Sequence, residues 1–150
     1  MDRLIMAIAT GFYTGYLPKA PGTWGSVVGF ILYYFLHAVA LPTYLIIVGV
    51  LLVVGFFTAG SAEKILDRKD PGCVVIDEIV GMLITLTAAP PSPLTWLLGF
   101  LLFRFFDIVK PFPARLIDKR IQGGVGIMLD DVVAGLYGFL ALQGLALWLW

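Results

Sequence analysis

Soft-ligand and thiol chemistry is nearly absent from this 150-residue chain, which has one cysteine and one histidine. Cys73 has no second thiol with which to close an internal disulfide. Its place beside the charged run Asp67 to Asp70 suits a reducing compartment such as the cytoplasm. His37 stands alone in an apolar stretch, so no histidine and cysteine cluster exists for zinc; it reads as a structural polar residue within a helix. Charge is scarce as well. Only 13% of residues are Asp, Glu, Lys or Arg, against roughly 25% in ordinary soluble domains. Acids and bases balance to zero, which offers nothing to attract a nucleic acid.

What fills the chain is apolar: 60% hydrophobic residues and a mean hydropathy of +0.97. A chain of this length cannot hide so much apolar surface in a water-soluble core. Its uncharged runs read as membrane spans. Residues 20–62 carry no charge, enough for two crossings of about 20 residues each, broken at Leu41-Pro42-Thr43. The expected spans are 24–41 and 43–62, a short-armed hairpin of 74–89 and 94–109 turning at Pro90-Pro91-Ser92-Pro93, and a last span at 132–150. Residues 1–15 are apolar but too short to cross and lack a small-residue cleavage site, which predicts an interfacial or half-inserted helix. The expected fold is therefore an all-α polytopic membrane bundle, a single domain over residues 1–150, with about five transmembrane or half-membrane helices. Arg3, Lys19, Lys64, Arg68, Lys69, Lys110, Arg115, Lys119 and Arg120 fall on one side of it, and the turns on the other side carry no charge. The positive-inside rule makes the charged side cytoplasmic.

Against this background six carboxylates stand out at the ends of apolar runs: Asp70, Asp77, Glu78, Asp107, Asp130 and Asp131. An acid at a bilayer centre costs about 2.5 to 3.5 kcal/mol on insertion scales, so such residues are read first as a functional site. All six lie on the cytoplasmic edge, in company with bases. Lys19 precedes Pro21-Gly22-Thr23-Trp24-Gly25-Ser26, a helix start whose N–H groups, with the Thr23 and Ser26 hydroxyls, can cradle a phosphate or simply cap the helix. Asp77-Glu78 opens another helix, as a metal-binding pair or as a pair favoured by the helix dipole. Arg104, Asp107 and Lys110 share one helical stripe, which either grips an anion and a metal or neutralises itself. Asp130-Asp131 follows Gly123-Gly124-Val125-Gly126, where backbone can approach a ligand closely, and opens the last span; one of the two would suffice as a cap. Carboxylate-rich, all-oxygen surroundings suit a hard ion such as Mg²⁺.

These motifs resemble a known family. Pro21-Gly22-Thr23 with Gly25-Ser26, Asp77-Glu78 with Gly81-Met82, Phe103-Arg104 with Asp107 and Lys110-Pro111, and Gly123-Gly124 through Asp130-Asp131-Val132-Val133-Ala134-Gly135 are similar to the signature of phosphatidylglycerophosphatase A, in the same order over nearly the whole chain. The resemblance implies a bacterial, Mg²⁺-dependent inner-membrane phosphatase that converts phosphatidylglycerophosphate to phosphatidylglycerol and inorganic phosphate. On that reading Asp77, Glu78, Asp107 and Asp131 hold the metal and Asp130, Asp107 and Asp77 take part in catalysis. Asp130 is the expected general base, and Lys19, Thr23, Ser26, Arg104 and Lys110 bind the substrate phosphate. The partners implied are the lipid bilayer and its phospholipid, with no nucleic acid. Gly11-x3-Gly15 and Gly25-x3-Gly29 allow close helix packing within one chain or in a homo-oligomer.

Absences fit this class. The residue six after Cys73 is Ile79, not the arginine of a cysteine-phosphatase loop, and neither a Ser-Gly-His nor an Asp-x-Asp nucleophile motif occurs. A divalent-cation carrier would need acids near the midplane. A headgroup synthase of the alcohol phosphatidyltransferase type would need an Asp-Gly-x2-Ala-Arg run, which is missing.

Overall fold

The computed structural model describes residues 1–149, and among them every regular element is helical. The elements are α1 (Asp2–Ala9), α2 (Pro21–Leu36), α3 (Leu41–Ile65), α4 (Ile76–Thr85), α5 (Pro93–Val109), α6 (Ala114–Arg120) and α7 (Gly123–Leu149), with a 3₁₀ turn at Thr14–Tyr16 between the first two. Proline sits in the first turn of α2, α3 and α5, where its fixed φ favours a helix and its missing N–H costs nothing. At about 1.5 Å per residue, the 25 residues of α3 reach ~37 Å and the 27 of α7 ~40 Å. Both are long and apolar enough to cross a membrane. The 10 residues of α4 reach only ~15 Å, half a hydrocarbon core.

That short helix is nonetheless the centre of the bundle. Seven of its residues, Ile76, Ile79, Val80, Gly81, Met82, Leu83 and Thr85, are buried, while α3 and α5 turn Phe57, Ile46, Leu101 and Phe105 outward. Burial inside and apolar side chains outside is the pattern of a bundle solvated by lipid. Glycines make the central contacts. A Cβ on Gly81 would lie 2.5 Å from the Phe103 ring and 2.9 Å from the Asp131 carbonyl, and one on Gly135 would lie 2.7 Å from the Gly81 carbonyl. The backbones of α4 and α7 therefore touch directly.

A helix that stops inside an apolar bundle leaves carbonyls without water. Side chains from three neighbours supply donors to the last turn of α4 and to the segment that follows it. The Tyr44 hydroxyl of α3 donates to the Leu83 carbonyl at 2.6 Å, Gln143 Nε2 of α7 to Thr87 at 3.0 Å, and the Tyr33 hydroxyl of α2 to Ala89 at 3.4 Å. The Leu83 carbonyl also accepts from the Thr87 hydroxyl at 3.2 Å, so it keeps a partner when the tyrosine is lost. Tyr44→Phe is accordingly expected to cost only about 1 kcal/mol, read as a small drop in the unfolding midpoint in detergent at unchanged activity.

Several expected boundaries move. Helix α7 starts at Gly123, not at residue 132, so Asp130 and Asp131 lie inside the helix instead of opening it. The glycines before them serve packing: a Cβ on Gly124 would collide with the Phe56 carbonyl and with Gly60 of α3, and one on Gly126 with the Ile121 carbonyl. Residue 150, the end of the expected last span, lies outside the described residues. Helix α6 occupies a segment read as loop. His37 follows the last turn of α2 instead of lying within a helix, with its Nδ1 2.6 Å from the Tyr34 carbonyl. Both glycine pairs near the N-terminus pack inside the chain, Gly25 and Gly29 against α4, Gly11 against Val75 and Ile79, and Gly15 against the Cys73 backbone.

Candidate active site

The start of α2, the loop before α4, the first turn of α4, the end of α5 and the third turn of α7 meet around one cavity of about 370 Å³. All six carboxylates line it, and Arg104 and Lys110 are the two cations on its wall. Local folding explains the convergence. Asp77 and Glu78 occupy the first turn of α4, where the free N–H groups favour acids. About two turns into α7, Asp131 comes over the same spot because Gly81 and Gly135 let the two backbones close up.

Two kinds of acid are found there. Asp107 is paired with Arg104 one turn before it on α5, and Asp130 is bound by Lys110, whose Nζ is 2.7 Å from its Oδ2. The second Asp130 oxygen accepts from the Asp131 N–H at 3.0 Å. Lys110 also reaches Asp118 Oδ1 at 3.2 Å. Burial works against its charge, but the hydrogen bond and charge of Asp130, with Asp118 behind it, outweigh that penalty and leave the ammonium pKa raised. It stays a cation throughout the physiological range. Asp70, at the rim, has its carboxyl pushed up by burial, which the charge of Lys110 partly offsets.

The other acids have no such partners. One ligand oxygen each from Asp77, Glu78 and Asp131 fall within 4.8 Å of one another. Asp77 Oδ1 and Glu78 Oε2 are buried and accept no hydrogen bond from the protein. An uncompensated buried carboxylate is strongly destabilising, and three together repel one another. A hard divalent cation removes both penalties, so this trio fits a metal as a donor set.

Lys19, Thr23 and Ser26 are not among the residues that line the cavity. Lys19 is exposed, and the Ser26 hydroxyl is fully buried and donates to the Gly22 carbonyl at 2.9 Å. What reaches the wall here is the entry to α2, at Ala20, Pro21 and Gly22. A Cβ on Gly22 would lie 2.5 Å from Glu78 Oε1 and 3.2 Å from Arg104 Nη1. Gly22 thus seats α2 against two site residues at once, a role hidden in sequence behind an ordinary Pro-Gly turn. Asp118 also went unassigned, being one acid among the bases of α6.

Comparison with known proteins points the same way. The family model for phosphatidylglycerophosphatase A matches residues 7–146. A Haemophilus influenzae phosphatidylglycerophosphatase A is 38% identical over 147 residues, 97% of this chain and 90% of that protein. Its Escherichia coli namesake is 37% identical over 129 residues, 85% of this chain and 75% of that protein. A Bacteroides thetaiotaomicron protein named, provisionally, as a phosphatidylinositol-3-phosphatase is 40% identical over 146 residues, 93% of this chain and 91% of that one. No solved structure matches. With the family model spanning nearly the whole chain and relatives this similar over most of their length, the chain belongs to the phosphatidylglycerophosphatase A family and is a phosphatase.

Proposed function

We propose that this phosphatase hydrolyses the terminal phosphomonoester of phosphatidylglycerophosphate with the help of Mg²⁺, at the cytoplasmic face of a bacterial inner membrane. The observation that carries the metal is the pair of buried, unpartnered oxygens on Asp77 and Glu78 beside Asp131. These three residues would hold the ion, which when bound supplies Lewis-acid charge to the phosphate and to water. Among the chain's own groups, Arg104 and Lys110 bind the phosphate oxygens as fork and point charge. Asp107, next to Asp131 and bound to Arg104 through only one oxygen, takes the proton of the attacking water. Asp130, with both oxygens engaged, is a weaker base and instead fixes Lys110. The orientation follows from the basic residues gathered at the same end as the site.

The names of the relatives describe two headgroups of one design, a phosphomonoester carried beyond the phosphodiester of a glycerophospholipid. The decisive assay is phosphate release from phosphatidylglycerophosphate in mixed micelles. Turnover with Mg²⁺ and none in EDTA is expected; full turnover in EDTA contradicts the metal, and release from phosphatidylinositol 3-phosphate alone contradicts the substrate.

A further inference from the structure

A second cavity, about 600 Å³, opens between the end of α5 and α6. Lys110, Arg115 and Lys119 form its polar side, and Val109, Phe112 and Leu116 its apolar side. Arg115 and Lys119 are four residues apart on one face of α6, and among the described residues neither pairs with a carboxylate. Lys110 lines this cavity and the acidic one alike, so the two are neighbours across one side chain. The apolar side continues from Phe112 onto the outer face of α5 at Ile108, Phe105 and Leu101, the four exposed at 75%, 70%, 57% and 54%.

The arrangement reads as three zones in line: an apolar face for acyl chains, two unpaired cations, then the acidic site. We infer that Arg115 and Lys119 bind the phosphodiester of the substrate lipid, leaving its distal phosphomonoester to pass Lys110 into the acidic cavity. This deepens the lipid-phosphatase reading and rests on it. The charge match is direct. A diester carries one negative charge and two free oxygens, which suit an arginine fork and a lysine point charge. Such a subsite would also select substrates, since a lipid whose only phosphate is the monoester has nothing to place there.

The test uses full-length protein in detergent, with Arg115→Gln/Lys119→Gln beside a control, Lys64→Gln/Arg68→Gln, that removes two exposed bases from the same side of the bundle. Two basic groups near a lipid surface are worth roughly 10- to 30-fold in binding. The α6 variant is expected to raise KM for phosphatidylglycerophosphate by about that factor with kcat little changed. It should also weaken binding of phosphatidylglycerol, which has the diester and no monoester, by a similar factor relative to neutral diacylglycerol; the control should move neither. Unchanged phosphatidylglycerol binding in the α6 variant overturns the inference, and so does an equal loss in the control, which would mark general attraction to anionic lipid. Because phosphatidylglycerol binding needs no turnover, it decides the matter even if the phosphatase reading fails.

Discussion

Asp77→Asn is expected to abolish nearly all phosphate release and at the same time to make the metal-free protein more stable. The substitution keeps the size of the side chain and removes one charge from a trio in which an Asp77 and a Glu78 oxygen are buried without a protein donor. Losing several kcal/mol of transition-state charge stabilisation, taken as ~4 kcal/mol, lowers turnover roughly 1000-fold. In EDTA the effect reverses. Relief of like-charge repulsion in a partly buried site should raise the unfolding midpoint by a few degrees, roughly 1 kcal/mol for a chain of this size. Added Mg²⁺ stabilises the wild type by mass action and should barely stabilise the variant. A variant with wild-type turnover, or one destabilised in EDTA, contradicts this assignment of Asp77.

The second large effect concerns folding. Gly81→Leu drives a branched side chain into the Phe103 ring and the Asp131 carbonyl, both on elements that pack tightly around α4. Overpacking in a core commonly costs 1–3 kcal/mol; here a backbone carbonyl stands in the way and cannot swing aside as a side chain can. A loss of about 3 kcal/mol or more is expected, seen as little folded protein after purification. Gly144→Leu makes the natural comparison. It lies on the exposed outer face of α7 with open space around it, and should fold normally.

The acids were legible because a charge at the edge of an apolar run is costly enough to need a reason. Their meeting was legible only in part: their gathering at one end of the bundle was expected from the uncharged turns at the other, whereas their division into Asp77, Glu78 and Asp131 against Asp107 and Asp130 depends on side chains from distant helices. The start of α7 was hidden because Gly123-Gly124-Val125-Gly126 has poor helix propensity. Tertiary packing against Phe56 and Gly60 outweighs that preference and selects the same glycines for their lack of a side chain. Ser26 misled in the opposite direction. A hydroxyl in the first turns of a helix reads as a ligand for phosphate, yet here it folds back onto the Gly22 carbonyl. Helix α6 escaped because two prolines precede it and only 7 residues form it, too few for a periodic pattern to show.

The central claim is that Asp77, Glu78 and Asp131 form a divalent-cation site, and calorimetric titration of Mg²⁺ into the purified, metal-free protein tests it without reference to any substrate. Saturable binding in the wild type, lost in Asp77→Asn and in Asp131→Asn and kept in Lys64→Gln, is the expected result. Equal binding in all four proteins would contradict it.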